Sequence, residues 1–356
     1  MVNRLRLLRS RRVGVATYHR LIAEYGTAAA ALKALPDIAK EAGVDNYEIC
    51  PEGVIHAELK AARAAGASPL MYDVPPYPVD LAQISDAPPF LWAIGDLDLL
   101  TRPMIAMVGA RNASSLGTRM AKRLAKELTE AGYVVVSGLA RGVDTAAHHG
   151  ALDGGTIAVL AGGVDVIYPA ENAQLADDIR KNGLRIAEMP MGLQPQARHF
   201  PARNRVISGV ARAVVVVEAA AKSGSLITAR NALDQGREVM AVPGHPLDAR
   251  AAGCNILIRD GATLVRSVED VIAGLAPLDE GADEVPHAPG QSTLPLPDMA
   301  KLHDAILSRL GPSPLAEDQL IRDMAAPATH IAPVLVDLEL DGKITRQAGG
   351  LLARVV

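Results

Sequence analysis

Residues 105–150 read IAMVGARNASSLGTRMAKRLAKELTEAGYVVVSGLARGVDTAAHHG, which contains two strand–loop–helix units in succession. The apolar run 105–108 breaks at Gly109 into a polar loop at 111–115, and an amphipathic helix starts near Gly117. Residues 133–136 supply the second strand. Ser137 and Gly138 then open a loop carrying Arg141, Gly142 and Asp144, ahead of a helix that runs through Ala151. Two such units in a row predict a parallel sheet whose loops gather at one end. Helix N-termini arriving there present free N–H groups suited to phosphate or another anion, and Arg111 and Arg141 add charge. Only one glycine sits in the first turn and no GxGxxG follows the strand, so no nicotinamide or flavin cofactor is expected.

Further apolar runs at 156–160, 184–188, 213–217 and 238–242 extend the pattern to five or six parallel strands covered by helices, an α/β Rossmann-like domain. Their loops return to the same edge. The first is GGVDVIYPAEN; the second carries Arg198, His199, Arg203 and Arg205, with a helix expected from about Ala202. After 217 comes AAAKSGSLITARNALDQG, in which Ser225 is the expected N-cap of a helix over 226–234, closed by Gly236. Lys222 and the amides around Gly224 form a reasonable anion cradle. Charge segregates toward this region: residues 101–270 hold 20 Lys and Arg against 16 Asp and Glu, in a chain whose net charge is −4.

Outward from the sheet, residues 1–65 read as a small helical module of helix-hairpin-helix or related type, with Gly14 and Gly26 bounding one helix. Residues 66–277 form the Rossmann-like domain. Its proline-rich lead-in, with prolines at 75, 76, 78, 88 and 89, leaves room for a helical turn near Leu81 and Ile84 and a short strand at 91–94. Residues 278–296 read as a linker, acidic and then rich in proline, glycine and serine. In 297–356, helices at 299–310, 316–324 and 330–341 and a hairpin at 342–344 and 351–355 make a winged helix. Its third helix presents Asp337, Glu339 and Asp341, which repel phosphate and favour a protein contact over duplex reading.

Composition excludes several classes. Aromatics are 3% of residues, so no extended stacking platform for bases is expected and phosphate contacts must dominate any nucleic-acid binding. Apolar runs are too short to span a bilayer and no signal-peptide pattern is present, so no membrane insertion and a cytoplasmic location are expected. Cys50 and Cys254 sit in no metal or redox spacing and read as packing residues, and the histidines give no metal site. Asp144 and His148 lie among apolar neighbours and are expected to be internal hydrogen-bonding residues.

The motifs, taken in order, resemble the bacterial DNA-processing protein family DprA, also called Smf. They are Gly109, Arg111 and Ser114; Ser137, Gly138, Gly142, Asp144 and His148; Gly162, Gly163, Tyr168 and Pro169; Phe200, Pro201, Arg203, Asn204 and Arg205; and Glu218, Lys222, Ser223, Gly224 and Ser225. Leu116 stands where family members carry an aromatic ring, so no base stacking is expected from that position. The resemblance implies a non-enzymatic accessory protein without a cofactor. Such a protein binds and protects incoming single-stranded DNA, dimerises through its Rossmann-like domain and loads the RecA recombinase during natural transformation. By the same resemblance Arg111, Arg203, Arg205 and Lys222 contact phosphate, with Arg141 as a further candidate. Gly109, Ser114, Gly138, Gly224 and Ser225 shape the amide-lined loops.

Two other readings compete. A Rossmann-like enzyme binding or hydrolysing nucleotides would use Glu218 as acid or nucleophile and Arg203 as a phosphate clamp, but the chain lacks the PGGxGTxxE loop of such hydrolases. An adaptor would instead use the winged helix as its interaction surface.

Overall fold

The computed structural model describes residues 1–279, 306–310, 315–316, 320, 334–335, 338–339, 343–347 and 351–354. The chain divides into two compact units, Met1–Glu284 and Val285–Val356.

The first unit is organised by a nine-stranded sheet in the order β1-β2-β6-β5-β4-β3-β7-β8-β9. The two units of 105–150 become β3 (Met104–Val108), α6 (Ser115–Glu130), β4 (Val134–Ser137) and α7 (Val143–Ala151). Then follow β5 (Thr156–Leu160), α8 (Ala173–Asn182), β6 (Leu184–Ala187), α9 (His199–Gly209), β7 (Ala213–Val216), α10 (Ser225–Asp234) and β8 (Glu238–Ala241). The unit ends with α11 (Ala252–Arg259), β9 (Thr263–Leu264) and α12 (Val268–Asp279). The strands from β6 through β9 are mutually parallel, seven instead of the expected five or six. The lead-in supplies two more: β1 (Ser68–Met71) and β2 (Phe90–Gly95), where β2 runs antiparallel to both β1 and β6. The helical turn α5 (Val79–Ala82) lies between them.

Period-two alternation along each strand builds the layers. Ile105 and Met107 of β3 face one core with Ala121, Leu124 and Leu128 of α6 and Val271 and Leu275 of α12. Ala106 and Val108 face the other, with Val206 and Ile207 of α9 and Ala229 and Ala232 of α10. Strands buried on both faces explain the continuous valine runs, each buried valine being worth about 1.5–3 kcal/mol of transfer free energy.

The helical module comprises α1 (Val2–Arg9), α2 (Val15–Tyr25), α3 (Ala28–Glu41) and α4 (Glu52–Ala65). Gly14 and Gly26 flank α2 as expected, and the Thr27 side chain caps α3 by accepting from the Ala30 N–H. The module shares a core with the sheet, where Leu5, Ile55 and Leu59 pack with Phe90, Trp92 and Ile94. The Glu58 carboxylate, 8% exposed, accepts from Arg9 at 2.9 and 3.1 Å and from the Trp92 indole at 2.8 Å.

In the second unit, β10 (Leu315–Ala316), β12 (Leu351–Arg354) and β11 (Ile344–Gln347) form a small antiparallel sheet in that order. Ile306, Leu310, Leu320, Val334, Leu335 and Leu338 pack over it, a winged-helix core. The first wing strand is later than the expected 342–344, and Ala316 lies in a strand where a helix start was expected. Most of the expected linker, and Asp337 and Asp341, lie outside the described residues.

Candidate nucleic-acid interface

Parallel strands leave their C-terminal ends at one edge, and the sequence order reverses between β3 and β7, the position at which doubly wound sheets open a crevice. A cavity of about 650 Å³ lies at that edge. Gly109, Arg111 and Asn112 after β3 line it, with Phe200 and Arg203 of α9, Lys222, Gly224 and Ser225 before and within α10, and Arg250.

Of the expected phosphate contacts, Arg111 and Lys222 are exposed at the rim. Arg111 holds its guanidinium 5.4 Å from the centroid of the Phe200 ring, a cation–π arrangement. Among the described residues Gly224 has no atom within 4 Å of where a Cβ would stand, so its backbone is open to a ligand. Ser225 is not the N-cap but the first helical residue: Gly224 takes the N-cap position without a side-chain cap, and the Ser223 hydroxyl accepts from the Ser225 N–H. Arg250, paired with Asp248 at 3.1 Å, is a cation at the cavity that sequence reasoning did not single out.

Arg203 borders the cavity but is turned inward. It is 8% exposed, and its Nη1 donates to the carbonyl oxygens of Gly138 and Val159 at 2.6 and 2.5 Å. Burial pulls this guanidinium down to about 10, against the opposing pull of Asp144. Gly138 belongs to the same lock: a Cβ there would stand 2.4 Å from Arg203 Nη1. Asp144 accepts from the Gly138 and Ala140 N–H groups at 3.1 and 3.3 Å, and burial raises its carboxyl above the usual range. His148 bonds Thr156 Oγ1 through Nδ1 at 2.7 Å, fully buried. Both are internal hydrogen-bonding residues, as their surroundings in the sequence indicated.

The structure does not bring Arg205 to the cavity. Its Nη2 grips both Glu188 oxygens at 2.7 and 2.8 Å and Nη1 donates to the Asp86 carbonyl at 2.6 Å, so it ties α9 to β6 and the lead-in. Arg141 is exposed and lies 3.7 Å from Glu171, outside the cavity lining. Gly109 is required by packing, since a Cβ would come within 2.6 Å of Val143.

Ser114 is occupied from within. Its hydroxyl accepts from the Gly117 N–H, capping α6, and both its N–H and its Oγ donate to the Glu218 carboxylate at 2.9 and 2.5 Å. The anion at the N-terminus of α6 is therefore the chain's own carboxylate, held at the end of β7. A nucleotide phosphate would have to displace it, and Glu218 is committed to this contact instead of facing the cleft as an acid or nucleophile.

Sequence reasoning missed the aromatic side of the mouth. Tyr168, 53% exposed and on the loop after β5, lies 5.7 Å between centroids from Phe200, which stands in the first turn of α9 and lines the cavity. Overall aromatic content hides such a pair. The signal was local: one ring stands on the loop after β5 and the other at the start of the arginine-bearing helix α9.

A doubly wound sheet with Arg111, Lys222 and Phe200 lining the crevice at its switch point defines a Rossmann-type protein. The chain matches the family description DNA recombination-mediator protein A over residues 68–276, the DprA-like N-terminal HHH domain over 1–61 and the DprA winged helix domain over 290–350. It belongs to the DprA (Smf) family of DNA-processing proteins. The DNA processing protein DprA of Streptococcus pneumoniae is 49% identical over 199 residues, 55% of this chain and 70% of that protein. Protein Smf of Escherichia coli is 37% identical, covering 77% of this chain and 74% of the other. The X-ray structure of the Streptococcus pneumoniae protein superimposes with a TM-score of 0.66 at 38% identity, covering 77% of this chain and 98% of that one. A Helicobacter pylori DprA structure, described by its single-stranded DNA binding mode, gives a TM-score of 0.55 at 30% identity over 59% of this chain and 96% of the other.

Proposed function

We propose that the chain binds single-stranded DNA in the switch-point cleft, protects it and loads RecA recombinase onto it during natural transformation. The observation that carries this reading is the arrangement of the mouth. Arg111 stacks over Phe200, Lys222 and the open Gly224 backbone lie among the same lining residues, and Arg203 and Arg205 are locked into the fold. Unstacked bases present a face to Phe200 and Tyr168 while phosphates meet Arg111 and Lys222; a duplex hides its base faces. The Helicobacter pylori relative's described binding mode supports the choice of strand.

Affinity for oligothymidine should exceed that for duplex and fall with salt, by about 0.7 in log–log slope for each phosphate neutralised. Arg111→Ala should lower that slope, and Phe200→Ala should weaken binding by about 1–3 kcal/mol without changing it. Equal affinity for duplex, or no response to salt, would refute the reading.

RecA loading is checked by the rate of recombinase filament formation on strand precoated with single-strand-binding protein, which this protein should raise. In the same reading the protein is a cytoplasmic homodimer through the Rossmann-like domain. The two-residue β9 ends the sheet beside exposed Ile256 and Leu264, which supports a self-association edge. Sedimentation should then give twice the 37.3 kDa chain mass. Among the described residues no helix is long and apolar enough to cross a membrane.

A further inference from the structure

A second cavity, about 560 Å³, is lined by Ser114 and Glu218, the pair joined at the start of α6. Its walls are apolar where Leu116, Met120, Val242 and Pro243 meet, and Arg119 and Arg123 stand among its lining residues. It adjoins the cleft along both walls, since Asn112 and Arg250 line the first cavity while Ser114 and Ala251 line the second. Farther along α6 a shallower depression of about 370 Å³ is lined by Arg119, Lys122, Arg123 and Lys126 together with Glu127 and Glu130.

These four cations recur at intervals of three and four, hence on one face of a helix of 16 residues, about 24 Å long. All four are exposed. Arg123 and Lys126 are paired within the helix to Glu127 at 2.7 Å and Glu130 at 3.6 Å. Arg119 and Lys122 have no carboxylate partner among the described residues, and they are the two nearest the cleft. No fold requirement explains them, because the core side of α6 is supplied by Ala121, Leu124, Ala125 and Leu128.

We infer that this face of α6 is an exit track for the DNA strand: beyond the cleft, phosphates follow Arg119 and Lys122, and one base enters the second cavity against Leu116, Met120 and Pro243. Continuity with the cleft and charge complementarity identify the occupant as the same single strand. The inference rests on the single-strand reading above and lengthens the site that each chain offers.

The test compares oligothymidines of about 6 and about 20 nucleotides, within and beyond the range one compact site covers. Arg119→Ala/Lys122→Ala should bind the long strand about tenfold more weakly, with a salt slope smaller by about 1.4, the share of two phosphates. Its affinity for the short strand and its melting temperature should match the parent. Long-strand affinity and slope equal to the parent's would overturn the track, as would an equal loss for both lengths. In either case, binding that still depends on Arg111 leaves the cleft reading standing. A parent protein that binds neither length refutes both.

Discussion

Arg203 shows how one side chain is diverted from solvent to architecture. Its guanidinium donates to two buried backbone carbonyls, and Asp144 offsets its charge. The neighbouring His148 is held neutral, its pKa pulled down to about 3 by burial, with His149 and Arg203 adding repulsion. Its Nε2 has no hydrogen-bond partner among the described residues. An unfolded histidine titrates near 6.5, so between about pH 6.5 and 3 the unfolded chain binds the extra proton. Stability contributed by neutral His148 is complete above that window and declines as pH falls through it, by about 2 kcal/mol between pH 7 and 5. Urea denaturation at those two values should show the loss, and His148→Gln should shrink it; an unchanged acid limb in the variant would show that other groups set it.

At the scale of elements, the strands of the parallel sheet were readable because each is an apolar run closed by glycine or charge. Three features were not. Strand β9 has two residues, too few for a pattern, and β2 reverses direction by pairing with β6, about 90 residues away. Helix α9 begins at His199, three residues ahead of the expected start: a turn over 196–199, closed by the His199 N–H on the Gln196 carbonyl and the Gln196 N–H on His199 Nδ1, leads into it, and Pro201 falls in the first turn, where no N–H is needed. The site was legible in part for the same reason. Loop position told which residues approach the edge, but whether an arginine there is free depends on partners such as Glu188 for Arg205, visible only in three dimensions. The contact between β7 and α6 gives a sharp prediction. A Cβ at position 117 would stand 2.4 Å from the Glu218 carboxyl carbon, so Gly117→Ala must move that side chain or the helix start. It should destabilise by about 1–3 kcal/mol in denaturant titration, and Glu218→Ala in the same chain should recover part of the loss, which two independent defects would not do.

For the whole molecule, the helical segment 1–65 shares a core with the sheet, within one compact unit. Glu58 is the polar centre of the contact, serving Arg9 and Trp92 together. Glu58→Ala would leave a partly buried guanidinium and a buried indole N–H unpaired, at a cost of about 3 kcal/mol or more, whereas Glu58→Gln keeps an acceptor and should cost less. Thermal melts of the two variants test that order.

The same seam carries a reporter. Trp92 is the chain's only tryptophan, 1% exposed, with its indole against Phe90 and its N–H on Glu58. Intrinsic emission at tryptophan excitation therefore comes from the boundary between the helical segment and the sheet. Undocking of that segment should appear as a red shift of the emission, with no dye attached.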